Sequence, residues 1–257
     1  IRRPPRSTLD RSSAASDVYK RQVLVENDEN TGAVLVFSLE MPAESLTTRL
    51  LSGMSRLDQQ DVRSGKLDNK QVTQVVEQSK RLRELPLYID DSSLLSPMEL
   101  RARARRINRQ EPNGLSLIVV DYLQLMQVPG SLENRVNQIS EISRSLKSLA
   151  KELNVPVIAL SQLNRAVEQR TDKRPMMADL RDSGAIEQDA DVILFIYRDE
   201  VYNEDTDQGN KAEIIIGKQR NGPIGKTYLT FLKQYARFED FVPDDRLPEE
   251  GLYSKFE

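Results

Sequence analysis

Three polar residues each follow a strongly apolar segment of the 257-residue sequence. Glu40 follows residues 34–38, Asp121 follows 115–120, and Gln162 follows 157–160. If these segments are parallel strands, all three side chains emerge at the carboxyl edge of one sheet, where α/β folds bind ligands. An Asp that orders Mg²⁺, a Glu that activates water and a Gln that senses a phosphate are together typical of nucleotide hydrolysis. Each residue alone is a weak signal, because many strands end in Asp to form a turn or a helix cap.

The residue composition restricts the chemistry. The chain has neither histidine nor cysteine, which excludes disulfides, a thiolate nucleophile and the usual general base. Catalysis must therefore use carboxylates, Lys, Arg, Gln or a bound metal. A net charge of −3 argues against a uniformly basic nucleic-acid-binding protein, so any such binding depends on local patches. No apolar run approaches the roughly 20 residues of a membrane span, and the N-terminus lacks the apolar segment of a signal peptide.

Strand and helix patterns alternate from Gly32 onward. Near-continuously apolar segments at 33–38, 86–90, 155–160 and 191–197 predict strands, and periodic segments at 42–54, 71–82, 96–109 and 132–153 predict helices. Such alternation indicates an α/β fold with a mostly parallel sheet covered by helices on both faces. Residues 212–217 and 227–232 flank an Asn-Gly-Pro turn, which predicts a C-terminal antiparallel hairpin.

The two ends of the chain differ from its middle. Residues 1–22 carry six Lys or Arg against two acidic residues and show no core-forming period. They are interpreted as a disordered basic tail or, alternatively, as a non-native segment that replaces other sequence. We expect residues 23–242 to form the folded domain and residues 243–257 to be an acidic, frayed tail.

Five sequence strings point to one family. They are FSLEMP at 37–42, DYLQLM at 121–126, LSQLNR at 160–165, DLRDSG at 179–184 and GKQRNGP at 217–223. As a set, they closely resemble the C-terminal, RecA-like motor domain of bacterial DnaB-type replicative DNA helicases. The resemblance extends from about residue 23 to about residue 240. It implies an ATP-dependent helicase that moves 5′→3′ along single-stranded DNA at the replication fork.

The resemblance assigns nucleotide roles to the residues at the strand ends. Glu40 would be the general base that polarises the attacking water, and Asp121 the Walker B residue that orders Mg²⁺. Gln162 would be the switch that couples the γ-phosphate of ATP to DNA. Arg49, nine residues after Glu40, is a weaker candidate for a phosphate contact. ATP and Mg²⁺ are the cofactors that this assignment implies.

Two cations of the predicted hairpin would act on a neighbouring subunit. By the resemblance, Lys218 and Arg220 reach the neighbour's nucleotide in a homo-hexameric ring, with Arg220 as the arginine finger. Cationic donors stabilise the charge on a transferring phosphoryl group. Without the family context, the same residues would be interpreted as a basic, solvated hairpin.

A segment between the last two motifs would contact DNA. The resemblance places residues 164–187 on loops that face the central channel of the ring, where Arg181, Asp182 and the backbone near Gly184 follow the phosphates. Arg165, Arg170, Lys173 and Arg174 add positive charge to this segment, and no aromatic residue is interleaved. This pattern predicts sequence-independent binding without base stacking. The arginine-rich helix at 99–109 is instead interpreted as a solvated or subunit-facing surface.

The phosphate-loop pattern GxxxxGK[ST] does not occur in this sequence. Gly225-Lys226-Thr227 is similar to its end, but Arg220 stands where the first glycine should be, and an alternating strand pattern follows. We therefore expect a fragment of a cytoplasmic, nucleoid-associated bacterial helicase whose full-length form also meets primase and a loader. The alternative is a non-enzymatic RecA-like module for DNA binding or assembly.

Overall fold

Strands and helices alternate as far as β4, and antiparallel strands follow. The computed structural model describes residues 32–128, 134–180, 184–203, 205–206 and 208–242. Its strands are β1 (Ala33–Ser38), β2 (Leu87–Asp90), β3 (Leu115–Asp121), β4 (Val157–Ala159), β5 (Val192–Tyr197), β6 (Lys211–Gln219), β7 (Gly225–Leu232) and β8 (Arg237–Asp240). Its α-helices are α1 (Ala43–Ser55), α2 (Gln59–Ser64), α3 (Asn69–Glu84), α4 (Pro97–Gln110), α5 (Arg135–Leu153) and α6 (Gly184–Asp189).

The first sheet is parallel throughout, in the order β2-β1-β3-β4. Alternate residues of β1 face opposite layers, as the period of two in a strand requires. Leu35 and Phe37 belong to a core that includes residues of α4 and α5, whereas Val34 and Val36 pack with Leu46 of α1. Apolar burial on both faces explains the near-continuous apolar sequence and confirms the predicted helix–sheet–helix arrangement.

Local signals position the two long helices against this sheet. Ser96 accepts a hydrogen bond from the Glu99 N–H (3.2 Å), and Glu99 accepts one from the Ser96 N–H (2.9 Å), which forms the capping box that begins α4. In α5, the predicted stripe faces the core through four buried residues, Ile139, Ile142, Leu146 and Leu149. The predicted start of this helix, Leu132, lies outside the described residues.

The second sheet is antiparallel, in the order β5-β6-β7-β8. The predicted hairpin is present as β6 and β7, and Phe231 of β7 packs on Phe238 of β8 with ring centroids 4.7 Å apart. Strand β5 differs from the expectation, because it pairs antiparallel with β6 instead of extending the parallel sheet. The described part of the connection between β5 and β6 contains only a 3-10 turn at Asp199–Val201, and not the α-helix that usually carries the chain across to a parallel strand.

Two further expectations concern the terminal segments and membrane-spanning helices. Both terminal segments, 1–22 and 243–257, lie outside the described residues. Among the helices that the model does describe, none combines the length and apolar composition needed to cross a bilayer.

Candidate functional site

The three strand ends singled out by the sequence share one edge of the parallel sheet. Ser38 of β1 partners Asp121 of β3, and Ala159 of β4 partners the residue before Asp121. Glu40 lies two residues beyond the end of β1, and Gln162 lies three residues beyond the end of β4. The structure therefore brings the predicted water activator, metal ligand and phosphate sensor to the same carboxyl edge.

The two carboxylates at this edge differ in exposure and act on the same tyrosine. Asp121 is 3% exposed, whereas Glu40 is exposed. The pKa of Tyr122 is raised above its ordinary value, mainly by burial and further by the negative charges of Glu40 and Asp121. Both carboxylates are therefore close enough to influence the Tyr122 hydroxyl. This negative potential favours a cation at the edge.

Gln124 connects the ends of β3 and β4. Its side-chain amide donates to the Ser161 hydroxyl (2.9 Å), and its Oε1 accepts the N–H of Gln162 (3.1 Å). The Gln124 carbonyl oxygen in turn accepts a hydrogen bond from Arg135 Nη2 of α5 (2.7 Å). Gln124 therefore fixes the backbone from which Gln162 projects. Gln124 lies within the DYLQLM string, but no spacing in that string indicates this bridging role.

The donor set at the edge suits a magnesium ion that is shared with a nucleotide. Within the described residues, no three His, Cys, Asp or Glu side chains are grouped as a metal site. Mg²⁺ commonly keeps several waters and takes only one or two carboxylates, with substrate phosphates completing the shell. A buried Asp121 near Glu40 meets that requirement. A closed, protein-only site does not form among these residues.

A large cavity lies beside this edge, between the two sheets. Its volume is about 1610 Å³, and its walls include apolar residues of β4 and β5 such as Ile158 and Leu194. Arg49 of α1 lines it together with Tyr122 and Gln162. The mainly apolar walls do not suit a polyphosphate, so we assign the phosphate chemistry to the strand edge, where Arg49 and Gln162 line the cavity.

The two predicted trans-acting cations make contacts within their own chain. Lys218 of β6 donates from Nζ to the carbonyl oxygens of Glu187 (2.5 Å) and Ala190 (2.7 Å), at the C-terminal end of α6. A cation at this position interacts favourably with the helix dipole. Lys218 thereby connects β6 to the helix that begins at Gly184.

Arg220 and Lys218 both lie close to Asp191. The Arg220 guanidinium is 3.0 Å from Asp191 Oδ1, and the Arg220 N–H donates to the Asp191 carbonyl oxygen (2.8 Å). The pKa of Asp191 is lowered, first by a hydrogen bond from Lys147 and further by the charges of Lys147, Arg220 and Lys218. These contacts hold the two hairpin cations at β5, and none of them involves Glu40.

The predicted DNA contacts are only partly described. Arg181 and Asp182 lie outside the described residues. Gly184 is the first residue of α6 and is exposed, and a Cβ added there would meet no atom within 4 Å. The chain itself therefore does not require glycine at this position, which is consistent with close approach by an external ligand.

Two of the basic residues expected to face DNA form ion pairs within the chain instead. Arg170 binds Asp179 (2.7 Å), and Arg174 donates from Nε and Nη2, one edge of its guanidinium, to both carboxylate oxygens of Glu213 of β6, with contacts from 2.5 to 3.2 Å. The expectation treated all the cations of the segment alike, whereas these two serve mainly to hold the loop. Their partners are distant in sequence, which is why their pairing was not predicted.

The arginine-rich helix α4 uses its cations in the same way. Arg101 and Arg105 both pair with Glu152 of α5, and Arg103 pairs with Asp90 at 2.5 Å. Three of the five arginines of α4 thus pair within the chain, and the interpretation of α4 as a solvated or subunit-facing surface stays a prediction.

The sequence that is similar to a phosphate loop is not one. Gly225, Lys226 and Thr227 are the first residues of strand β7, and Lys226 lies 3.8 Å from Glu213. A phosphate loop must open a helix so that its N–H groups point at the anion. The rejection of this segment as a phosphate loop is confirmed.

Comparison with known proteins identifies the family. The model of the DnaB-like helicase C terminal domain matches residues 6–240. The chain is 61% identical over 211 residues to the replicative DNA helicase DnaB of Pasteurella multocida and 59% identical over 209 residues to that of Buchnera aphidicola. Each match covers 81% of this chain and 45% of the relative, so the chain spans just under half the length of these relatives.

A solved structure is similar throughout the same region. It is a DnaB-like replicative helicase described with its interactions with primase, and it superposes with a TM-score of 0.86 at 34% identity. The match covers 92% of this chain and 56% of the solved one. The strand-edge carboxylates and the C-terminal hairpin lie within residues 6–240, which the family model matches. The chain belongs to the family of DnaB-like helicase C-terminal domains.

Proposed function

We propose that residues 23–242 are the RecA-like motor domain of an ATP-dependent replicative DNA helicase. In a homo-hexamer, this motor moves 5′→3′ along single-stranded DNA and unwinds the duplex at the replication fork. The observation that carries the proposal is the convergence of Glu40, Asp121 and Gln162 at one edge of the parallel sheet. Family membership supports the same activity.

The chain's own side chains divide the work at that edge. Glu40 is exposed and accepts the proton of the attacking water, while Asp121 orders the metal's water shell. Gln162 senses the γ-phosphate, and its backbone is held by Gln124. When bound, Mg²⁺ neutralises charge on the β- and γ-phosphates of ATP. Arg49, which lines the adjacent cavity, is an additional candidate for a phosphate contact.

Lys218 and Arg220 complete the neighbouring subunit's site. An arginine finger supplied in trans accelerates phosphoryl transfer by about 10³–10⁵-fold. Asp191 keeps the guanidinium of Arg220 at the surface, where it is 54% exposed. An exposed cation on a hairpin is suited to reach a second subunit.

Single-stranded DNA is held by its backbone. Arg181, Asp182 and the main chain near Gly184 follow the phosphates in the ring's channel, so binding is independent of base sequence and depends on salt. The full-length protein further binds primase and a helicase loader. It acts in the bacterial cytoplasm at the nucleoid, without a membrane.

One observation favours a second candidate, a non-enzymatic RecA-like module that binds DNA or assists assembly. The 257 residues contain no GxxxxGK[ST], so they supply neither the Lys that reaches the β- and γ-phosphates nor the Ser or Thr that binds Mg²⁺. A module without turnover, however, needs neither a water activator nor a finger. The presence of both Glu40 and Arg220 favours the helicase motor.

A chimera separates the two candidates. Residues 1–22 are replaced by the phosphate-loop region of the Pasteurella multocida relative, and ATP hydrolysis is measured with and without single-stranded DNA. We expect DNA-stimulated hydrolysis and duplex unwinding, both abolished by Glu40→Gln, which leaves ATP binding in place. A folded chimera that binds ATP and DNA but does not hydrolyse ATP would support the module instead.

A further inference from the structure

The loop between Gln162 and α6 is closed at its base. Leu163 and Leu180 form an antiparallel bridge, and the N–H of Asn164 donates to the carbonyl oxygen of Asp179 (2.7 Å). The chain thus leaves the nucleotide edge, forms a loop and returns beside its starting point. The residues that precede the proposed DNA contacts are therefore held next to those that follow the phosphate sensor.

A buried carboxylate holds this base together. Asp179 is 5% exposed, and its Oδ2 accepts hydrogen bonds from Arg170 Nη2 (2.7 Å) and from the Met176 N–H (2.8 Å). The same nitrogen of Arg170 also donates to the Arg174 carbonyl oxygen (2.9 Å). One ion pair thus joins the middle of the loop to its last turn.

The far side of the loop is fixed to the second sheet. Arg174 pairs with Glu213 of β6, and its guanidinium stacks over the ring of Tyr197 of β5 at 4.5 Å. Lys173 lies over the ring of Tyr202, 4.8 Å from its centroid. The loop is therefore braced at its tip by β5 and β6 and at its base by Asp179.

Charge alone does not explain Asp179 in a segment proposed to bind DNA. A carboxylate repels phosphates, and this one also occupies the guanidinium of Arg170, so the pair contributes little net attraction. Burial of a paired charge is costly unless its geometry is well satisfied. The pair is thus better suited to fixing the backbone than to contacting DNA.

We propose that Asp179 and Arg170 form a clasp that holds Leu180, the last described residue before the proposed DNA contacts, beside Leu163 and the strand edge. The two are positioning residues: they act through the backbone that they hold and do not themselves contact DNA. The inference rests on the proposed function, because the DNA contacts that follow this anchor are proposed there. It goes beyond that function because it names the two residues that hold the chain just before the proposed DNA contacts.

The test compares two acidic-to-neutral substitutions in the same loop. Binding of fluorescein-labelled oligo(dT) to the full 257-residue chain is followed by anisotropy. Asp179→Asn should weaken binding by about fivefold at roughly 0.1 M salt, the effect of one lost phosphate contact on a single strand. Asp172→Asn removes the same charge from an exposed position, 69% accessible, and should leave binding unchanged or slightly tighter.

The salt dependence distinguishes positioning from a loss of folded protein. Asp179→Asn should lower the slope of log K against log salt by about 0.7, because a phosphate contact is lost. A smaller folded fraction would reduce the amplitude and leave that slope unchanged. Arg170→Met breaks the same pair from its more exposed side and should reproduce both changes. Arg170→Met therefore tests the clasp if the Asp179→Asn variant does not fold.

Two outcomes would overturn the clasp. Tighter binding by Asp179→Asn together with weaker binding by Arg170→Met would mean that Arg170 contacts DNA directly. Rapid hydrogen exchange at the Asn164 amide in the unsubstituted chain would mean that the base of the loop is open. If the unsubstituted chain binds no DNA, the DNA part of the proposed function fails instead. Protection at Asn164, lost on Asp179→Asn, then decides separately whether the clasp exists.

Discussion

At the scale of single residues, the strand edge depends on groups that do no chemistry themselves. Gln124 satisfies the backbone N–H of Gln162 and the hydroxyl of Ser161 at once, and polar groups in such partly buried positions are costly to leave unpaired. The pKa of Tyr122 is raised first by burial and further by the charges of Glu40 and Asp121. The Gln162 side chain, the proposed phosphate sensor, therefore projects from a backbone that the Gln124 amide holds.

Gln124→Leu tests this support directly. The substitution keeps a similar volume but leaves the Gln162 N–H and the Ser161 hydroxyl without their partner, so the free energy of unfolding should fall by about 1–3 kcal/mol. Urea denaturation followed by circular dichroism measures the change. Gln127→Leu, at an exposed position three residues later, is the control and should shift stability by less than about 0.5 kcal/mol. Equal effects of the two variants would show that Gln124 provides no specific support.

At the scale of elements, some features could be predicted from local sequence and others could not. The capping box at Ser96 and the apolar stripe of α5 are local patterns, and the structure contains both. Helix α2 and strand β8 were missed because elements of six and four residues carry too little periodicity. The pairing of β5 with β6, and that of Arg174 with Glu213 39 residues away, are decided by tertiary contacts that no sequence window contains.

Glu213 connects the 164–180 loop to β6, and its ionisation should appear in the stability of the domain. The pKa of Glu213 is lowered from its usual 4.5, first by the hydrogen bonds from Arg174. Because the folded-state pKa lies below the unfolded value, this pair stabilises the fold above pH 4.5. The contribution is lost as the pH falls through the lowered folded pKa. Acidification should therefore weaken the attachment of the loop.

The substitution Glu213→Gln tests this pH-dependent stabilisation. At about pH 7 the variant should lose about 1.5–3 kcal/mol of unfolding free energy, the range for hydrogen bonds to charged groups. The difference from the unsubstituted chain should shrink as the pH is lowered below 4.5, since a protonated glutamic acid and a glutamine are then alike in charge. Thermal or urea unfolding from neutral to acidic pH measures both effects. A difference that does not change with pH would mean that the Glu213 charge is not what holds the loop.

At the scale of the whole molecule, the residues of the proposed catalytic site are divided between the two sheets. The carboxyl edge of the parallel sheet supplies Glu40 and Asp121, and the hairpin of the second sheet presents Arg220 near β5. A cavity of about 1610 Å³ separates the two sheets. The family and the strand-edge residues could be predicted from sequence motifs, whereas this separation depends on how the two sheets pack.

The 257-residue chain by itself should hydrolyse ATP at no more than trace rates. It contains no GxxxxGK[ST], so neither the phosphate-binding Lys nor the Mg²⁺-binding hydroxyl is supplied. A coupled-enzyme assay with Mg²⁺-ATP and oligo(dT) measures the rate. Turnover at about 1 s⁻¹ or faster, removed by Glu40→Gln, would show that the chain has a different phosphate site.

The most direct test of the helicase-motor assignment mixes two inactive variants of the chimera. Arg220→Ala subunits retain Glu40, and Glu40→Gln subunits retain Arg220, so only a mixed interface has both residues. Each variant alone should bind ATP and fail to hydrolyse it, because the finger acts on the transition state and not on ground-state binding. We predict that DNA-stimulated hydrolysis returns when the two are co-assembled. No recovery at any ratio, with the unsubstituted chimera active and mixed rings verified by mass spectrometry, would contradict the assignment.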